Sequence, residues 1–282
     1  MEEEIVNICY CGNDKMFKGV LLSSLSASYS CICPISVYIL TADLRSGRKH
    51  YSPFTAEQGD IIEKALQQHN PKNKVIVLDV GELFKKDFRH CINFHSTYTP
   101  YAYMRLVLDG IPNMPDKMLY LDTDTIVTRP LAPLFEFNMD AYDIAFVPDA
   151  IGRYYFGKRY GNTGVLFINL RKVRMDGSFI KARWLVNHIR MFMPDQTALN
   201  IVCRNTKLLL PNIYNEQLDL HDDTVIRHYC KRLYWLPFPH TINIKPWNVA
   251  QLRRRFGGEI HKALLNEYLM IVEELNKKEK AK

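Results

Sequence analysis

The stretch KMLYLDTDTIV, residues 117–127, decides how the chain is read. Its first half is an apolar run of strand length, and two aspartates, Asp122 and Asp124, follow one residue apart where that run ends. Such a run, bounded by turn-forming residues, predicts a strand buried on both faces of a sheet. Alternate residues of an extended chain project to one side, so the two carboxylates are expected to converge just past the strand end. About 5 Å apart, at an effective dielectric near 20, two bare carboxylates repel by roughly 3 kcal/mol. A proton on one of them relieves this, and so does a cation between them. Oxygen ligands favour hard ions such as Mg2+ and Mn2+, and an added histidine shifts the balance toward Mn2+ or softer ions. The plain alternative has Asp124 capping a turn and Asp122 in a surface ion pair.

The segments around this stretch alternate in type. IVNICYC (5–11) reads as a buried strand with a turn at Gly12 and Asn13, and residues 15–28 as a helix. ISVYIL (35–40) and KVIVLDV (74–80) are strands, with a helix between them that Thr55 can cap. PYAYMRLVLDGI reads as helical from Pro100. The expected fold is therefore α/β, a Rossmann-like, mostly parallel sheet flanked by helices. Ligands of such sheets sit beyond the carboxyl ends of the strands, where the aspartates fall. Later segments are less regular. DIAFVPD (143–149), GVLFINL (164–170) and TVIRHYC (224–230) read as strands, residues 179–189 and 196–203 as helices, and HKALLNEYLMIVEELNKK as a closing amphipathic helix. Its apolar face suits packing within one chain or in a homodimer.

With 282 residues, 47% hydrophobic and 12% aromatic, the chain can bury a substantial core, which excludes disorder. It contains no run of about 18 uncharged apolar residues, and its acidic start is unlike a signal peptide, so a cytoplasmic location is expected. Seven cysteines, mostly inside apolar runs and lacking C-x-x-C spacing, read as buried reduced thiols. The net charge of +7 suits an anionic partner. No nucleic-acid motif accompanies it. A phosphate-bearing small molecule or an anionic membrane surface fits better; the terminal KKEKAK reads as a solvated end, with peripheral contact to anionic lipid as its alternative.

D-x-D-x-T is also the signature of haloacid-dehalogenase-like phosphatases, which would make Asp122 a nucleophile. Those domains normally open with the motif, whereas here several β/α units precede it. Five blocks in order carry another likeness: ICYCGNDKMF, YAYMRL, YLDTDTIVTRPLAPLFE, GNTGVLFINL with DQTALN, and RHYC followed by KPW. Through them the chain resembles family 8 of the retaining nucleotide-sugar glycosyltransferases, the group containing lipopolysaccharide galactosyltransferases and glycogenin.

That resemblance implies a GT-A fold with a mixed acceptor-side region and a C-terminal helix. It implies one domain over residues 1–282, with a nucleotide-binding half (1–125) and a donor-sugar and acceptor half (126–282). Cys11, Gly12 and Asn13 would hold uracil; members often carry aspartate in place of Asn13. Arg105 and Thr123 would hold the donor, and Asp122 and Asp124 would bind Mn2+ or Mg2+ bridging the UDP phosphates. His228 would complete the metal site, with His240 as its rival, and Lys245 would grip the diphosphate. Asn162, Asp195 and Gln196 would surround the donor sugar, the last two being the best-placed catalytic groups, although Asp195 could equally be the N-cap of its helix. The implied reaction passes glucose or galactose from a UDP-sugar to a glycan, glycolipid or glycoprotein. A catalytically silent sugar-nucleotide binder is a further alternative. Trp235, Phe238, His240 and Trp247 either line an acceptor site or pack the last helix onto the body.

Overall fold

A computed structural model describes residues 5–46, 49–94, 99–234, 238 and 240–281. In chain order its main elements are β1 (Val6–Cys11), α1 (Phe17–Ser30), β2 (Ile35–Thr41), α2 (Ala56–Gln67), β3 (Lys74–Asp79) and α3 (Gly81–Phe88). They continue with β4 (Lys117–Leu121), β5 (Thr125–Val127), β6 (Ile144–Phe146) and β7 (Val165–Asn169). The chain proceeds through α4 (Ser178–His188), α5 (Pro194–Val202), β8 (Lys207–Leu209), β9 (Ile226–His228) and α6 (Lys262–Ala281).

Seven strands form one sheet in the order β8-β6-β7-β4-β1-β2-β3. All neighbours pair parallel except β7, which runs antiparallel to β4 and β6. Strand β1 shows why the run reads as continuously apolar. Val6, Ile8 and Tyr10 enter one core, while Cys9 and Cys11 enter the core on the opposite face. Cys9, Cys11, Cys31, Cys91 and Cys203 are buried thiols, as expected, whereas Cys33 and Cys230 are only half-buried.

From β1 the chain moves outward to β2 and β3, then returns to place β4 on β1's other side. That reversal opens a crevice at the carboxyl ends of β1 and β4. Because β7 is antiparallel to β4, its amino end lies at this same edge. Strand β5 leaves the main sheet to pair antiparallel with β9.

Helix α1 carries an unusual number of serines for a buried helix, and hydrogen bonding explains them. Ser26 Oγ accepts from Val127 N at 2.9 Å, and Ser30 Oγ donates to Val127 O at 3.1 Å. Ser23 Oγ lies 2.9 Å from both the Tyr10 hydroxyl and Thr125 Oγ1. One helix face thus satisfies the polar groups of the strand that follows the aspartates.

Several expectations change. The cap at Thr55 forms, with Gln58 N donating to Thr55 Oγ1 and Thr55 N donating back to Gln58 Oε1, but α3 has no counterpart among the expected helices. The segment after Pro100 is α-helical only over Tyr101–Met104 and tightens to a 3-10 helix over Arg105–Gly110. Arg105, Leu106, Val107 and Leu108 are all buried there, so surroundings on every side hold it, not one apolar stripe. Leu264, Leu265 and Tyr268 of α6 pack into the core cluster with α1, which leaves the homodimer expectation without support from this helix. Among the described residues no helix is long and apolar enough to cross a membrane. Trp235 lies outside the described residues.

At the turn into α6, His261 has φ of 47°, and the Tyr229 hydroxyl lies 2.8 Å from its Nε2. Burial, then the charge of Arg227, pushes its pKa down to about 4. Above the unfolded value of about 6.5 both states are neutral and nothing is lost. As pH falls below it, the unfolded chain takes up the proton first, and stability should drop by about 3 kcal/mol by pH 4. His261→Asn, which tolerates the left-handed backbone, should lack this component. Urea midpoints of both proteins at pH 7 and pH 4 measure the difference.

Candidate functional site

Strand β4 delivers Asp122 to the sheet edge, where its N–H donates to Gly164 O at 2.7 Å, extending the β4–β7 ladder by one bond. Thr125 N then donates to Asp122 O at 3.2 Å, closing a tight turn over Thr123 and Asp124. The carboxylates therefore converge through a turn, not by the extended alternation expected from spacing. On the other side, β9 pairs with β5 so that His228 sits opposite Thr125, and Tyr229 N donates to Asp124 O at 2.8 Å. One ligand atom each from Asp122, Asp124 and His228 lies within 4.8 Å of the others. His228 Nε2 is 3.3 Å from Asp124 Oδ1 and 3.8 Å from Asp122 Oδ2. His240 is not part of this group. It is exposed, its Nδ1 meets Phe238 O at 2.8 Å, and its ring stacks on Tyr234.

A chain of buried amides sets the tautomer of His228. Gly164 N–H can only donate, and it meets Asn162 Oδ1 at 2.9 Å. That oxygen also accepts from Asn215 Nδ2 at 3.0 Å, which turns Asn215 Oδ1 toward His228 Nδ1 at 3.1 Å. An amide oxygen there requires Nδ1 to carry a proton, so in the neutral ring Nε2 presents its lone pair to the two carboxylates. Three electron-rich atoms facing one another are mutually repulsive until a cation joins them. Two carboxylates and an imidazole suit a divalent ion of the Mn2+ or Mg2+ type. Gly164 makes room for the group: a Cβ there would lie 2.2 Å from His228 Cε1 and 2.8 Å from Asp122 Oδ2.

The charges around this cluster come from distant segments. Lys245 Nζ lies 2.5 Å from Asp124 Oδ2. Burial alone would raise the Asp124 pKa, but His228 and Lys245 outweigh it and hold the carboxyl well below the usual range. Arg105, 4% exposed, lies over the Tyr120 ring and reaches Asp122 Oδ1 at 3.3 Å and Asp195 Oδ2 at 3.5 Å. It also donates to Thr163 O, while the Tyr120 hydroxyl donates to Asp122 Oδ1 at 2.7 Å. Helix α5 begins at Pro194 with Met193 as its cap residue, so Asp195 lies in the first turn and is not the N-cap. Burial raises the Asp195 pKa, and Arg105 offsets this only in part.

The remaining expected residues divide. Gln196 accepts from Thr163 N at 3.1 Å and donates to Asp149 Oδ2 at 3.1 Å, so both ends of its amide are engaged. Asn162 donates to the same Asp149 oxygen at 2.8 Å. Cys11, Gly12 and Asn13 end β1 at the same sheet edge. Gly12 N donates to Leu40 O at 3.1 Å, and Asn13, 3% exposed, bridges to Pro53. Thr123 Oγ1 donates to Met16 Sδ at 3.9 Å, joining that loop to the aspartate turn. Trp247 is not an exposed sugar platform: it packs against Gly19, where a Cβ would lie 2.8 Å from its ring. Asp149, Asn215 and Tyr120 join the site without having been expected there. Their one available signal was polarity inside apolar segments, as in FVPD and YNEQ.

The family described as glycosyl transferase family 8 matches residues 7–249. Glycosyltransferase GlyF of Streptococcus pneumoniae is 32% identical over 146 residues, covering 49% of this chain and 36% of GlyF. A putative glycosyltransferase of Haemophilus influenzae is 28% identical over 184 residues, covering 56% of this chain and 54% of its own length. The chain thus spans about a third to a half of these relatives. Among solved structures, the galactosyltransferase LgtC in complex with donor and acceptor sugar analogs aligns over 90% of this chain and 95% of its own, with TM-score 0.59 and 18% identity. Apo GlyE of Streptococcus pneumoniae aligns over 95% of this chain and 64% of its own, with TM-score 0.61 and 19% identity. The structural matches establish a shared fold, the GT-A arrangement of a mostly parallel sheet between helices.

The amide relay makes Asn215 a measurable part of the cluster. Asn215→Ala should weaken Mn2+ binding about 10- to 100-fold, whereas Asn215→Asp, which keeps an oxygen facing Nδ1, should lose less. Gly164→Ala should remove binding altogether by displacing the imidazole. Electron paramagnetic resonance titration of free Mn2+ reads all three variants.

Proposed function

The chain belongs to glycosyl transferase family 8, and from that premise we propose that it passes a hexose, glucose or galactose, from a UDP-sugar to a hydroxyl of a glycan, glycolipid or glycoprotein, with retention. The observation that carries this reading is the Asp122–Asp124–His228 cluster at the sheet edge, flanked by Arg105 and Lys245. On this reading residues 1–125 form the nucleotide-binding half and residues 126–282 the donor-sugar and acceptor half of one catalytic unit. The divalent ion, when bound, would neutralise the charge that develops on the departing diphosphate.

The chain's own residues supply the rest. The loop at the carboxyl end of β1, at Cys11, Gly12 and Asn13, receives the base. Lys245, whose side chain is 32% exposed, can turn from Asp124 to a phosphate oxygen. Arg105 cannot move in that way; wedged against Tyr120 and tied to Thr163 O, it holds Asp122 and Asp195 in place as a fixed positive charge. Asp149 takes one amide hydrogen from each of Gln196 and Asn162 and so fixes both side chains on the donor-sugar side. A double displacement would need a carboxylate beside the anomeric carbon, and Asp195 is the best-placed group for it. A front-face route needs no such group: the departing phosphate oxygen takes the proton of the attacking hydroxyl as the new bond forms.

Family membership weighs against the phosphatase alternative, and so does the occupation of Asp122 Oδ1 by Tyr120 and Arg105. Three activities are separated by one set of assays. The transferase releases UDP from UDP-glucose or UDP-galactose only with metal, the phosphatase cleaves p-nitrophenyl phosphate instead, and the silent binder takes UDP without turnover. UDP with Mn2+ at a hundredfold excess over Kd should raise the melting temperature by about 5 °C. Asp122→Asn and Asp124→Asn should each abolish that rise. Absence of a rise in the wild-type protein would sink the donor assignment.

A further inference from the structure

Beyond the donor site, the connection from β6 to β7 carries a feature that the proposed reaction does not yet use. Residues 148–161 leave and re-enter the sheet edge as a closed excursion. Pro148 bridges Gly161, and Asp149 N donates to Tyr160 O at 2.8 Å. Inside it, the short helix Gly152–Phe156 exposes Tyr154 at 74%, Tyr155 at 68% and Phe156 at 51%. Three consecutive aromatic residues in solvent are costly to leave uncovered, and their base is rigid.

That rigidity comes from the donor side. Asp149 Oδ1 accepts from Ile151 N at 3.0 Å and Gly152 N at 2.6 Å, fixing the start of the helix. Its other oxygen accepts from Asn162 and Gln196. At the far end the Phe156 ring packs tilted against Tyr160, centroids 4.7 Å apart, and the Tyr160 hydroxyl lies 2.9 Å from Thr197 Oγ1, on the residue after Gln196. One carboxylate and one aromatic pair therefore lock the exposed rings to the wall that holds Asp195 and Gln196.

The sheet order supplies the direction. Along the edge, β1 ends at the nucleotide loop, β4 at the metal cluster, β7 begins at Asn162–Gly164, and β6 ends at this excursion. Base, diphosphate and donor sugar are laid out in that sequence, so the next position outward falls to the acceptor. We propose that Tyr154, Tyr155 and Phe156 form a stacking platform for a sugar ring of the acceptor glycan. This inference rests on the proposed donor reading. Pyranose rings present C–H faces that suit aromatic planes, and the two phenol hydroxyls supply polar edges beside them.

The test compares the full chain with the double variant Y154A/Y155A, whose changes lie on the surface. Saturation-transfer NMR with methyl glycosides of glucose, galactose and N-acetylglucosamine, recorded with UDP and Mn2+ present, reads sugar contact directly. The wild-type protein should transfer saturation to at least one probe, and the double variant should lose at least fivefold of it. Calorimetry of UDP with Mn2+ is the control: equal affinity in the two proteins places the loss at the sugar platform. Equal saturation in the two proteins, or none in the wild type, overturns the platform. So does a variant that keeps its sugar contact but no longer floats with phosphatidylcholine–phosphatidylglycerol vesicles, which would assign the rings to a membrane surface. A wild-type protein that fails to bind UDP would overturn the donor reading instead, and the sugar signals would still judge the tyrosines.

Discussion

The backbone bond from Asp122 N to Gly164 O is the constraint on which the site depends. It joins the end of one strand to the beginning of its antiparallel neighbour, and each of those ends carries a turn with functional side chains. Without that pairing DTD and GNTG would be two surface turns. With it, Asp122 lies beside the glycine whose missing Cβ admits the His228 ring. The same glycine's N–H starts the amide relay through Asn162 and Asn215 that sets which imidazole nitrogen carries the proton. A parallel partner for β4 would have presented its carboxyl end there, with a crossover in place of a turn.

What could be read in advance divides along the same physical line. The strands of the first half were legible because both faces of the sheet are covered, which leaves unbroken apolar runs such as IVNICYC ending at polar turns. Asp122 and Asp124 were legible as candidate metal ligands because carboxylates so close together demand an explanation wherever they occur. His228 needed the family pattern, since a single histidine after an apolar run carries no distance information. Asn215 and Asn162, 53 residues apart, could not be paired from sequence at all. Neither could Asp149, whose role is to receive four hydrogen-bond donors, none from a charged group. The aromatics misled in a different way. Trp247 and Tyr154 have the same kind of side chain, but one fills a hollow over Gly19 and the other stands in solvent, a contrast set by tertiary packing.

The pair formed by Asp124 and Lys245 gains a second meaning from the balance of charge. Three carboxylates, Asp122, Asp124 and Asp195, face two side-chain cations, Arg105 and Lys245. Set against those two cations, the three carboxylates leave one negative charge unbalanced, the wrong sign for a diphosphate. A divalent ion reverses that sign. On the proposed reading its arrival also competes with Lys245 for Asp124, because both seek the same carboxylate. Arg105 is buried and tied to backbone, whereas Lys245 is the more exposed of the two and sits on a flexible stem. The lysine is therefore the cation that can leave, and an incoming phosphate oxygen is what it would leave for. On that reading metal and diphosphate would bind as one event: each would remove the reason for Lys245 to stay on Asp124, and neither alone would satisfy every charge in the cluster.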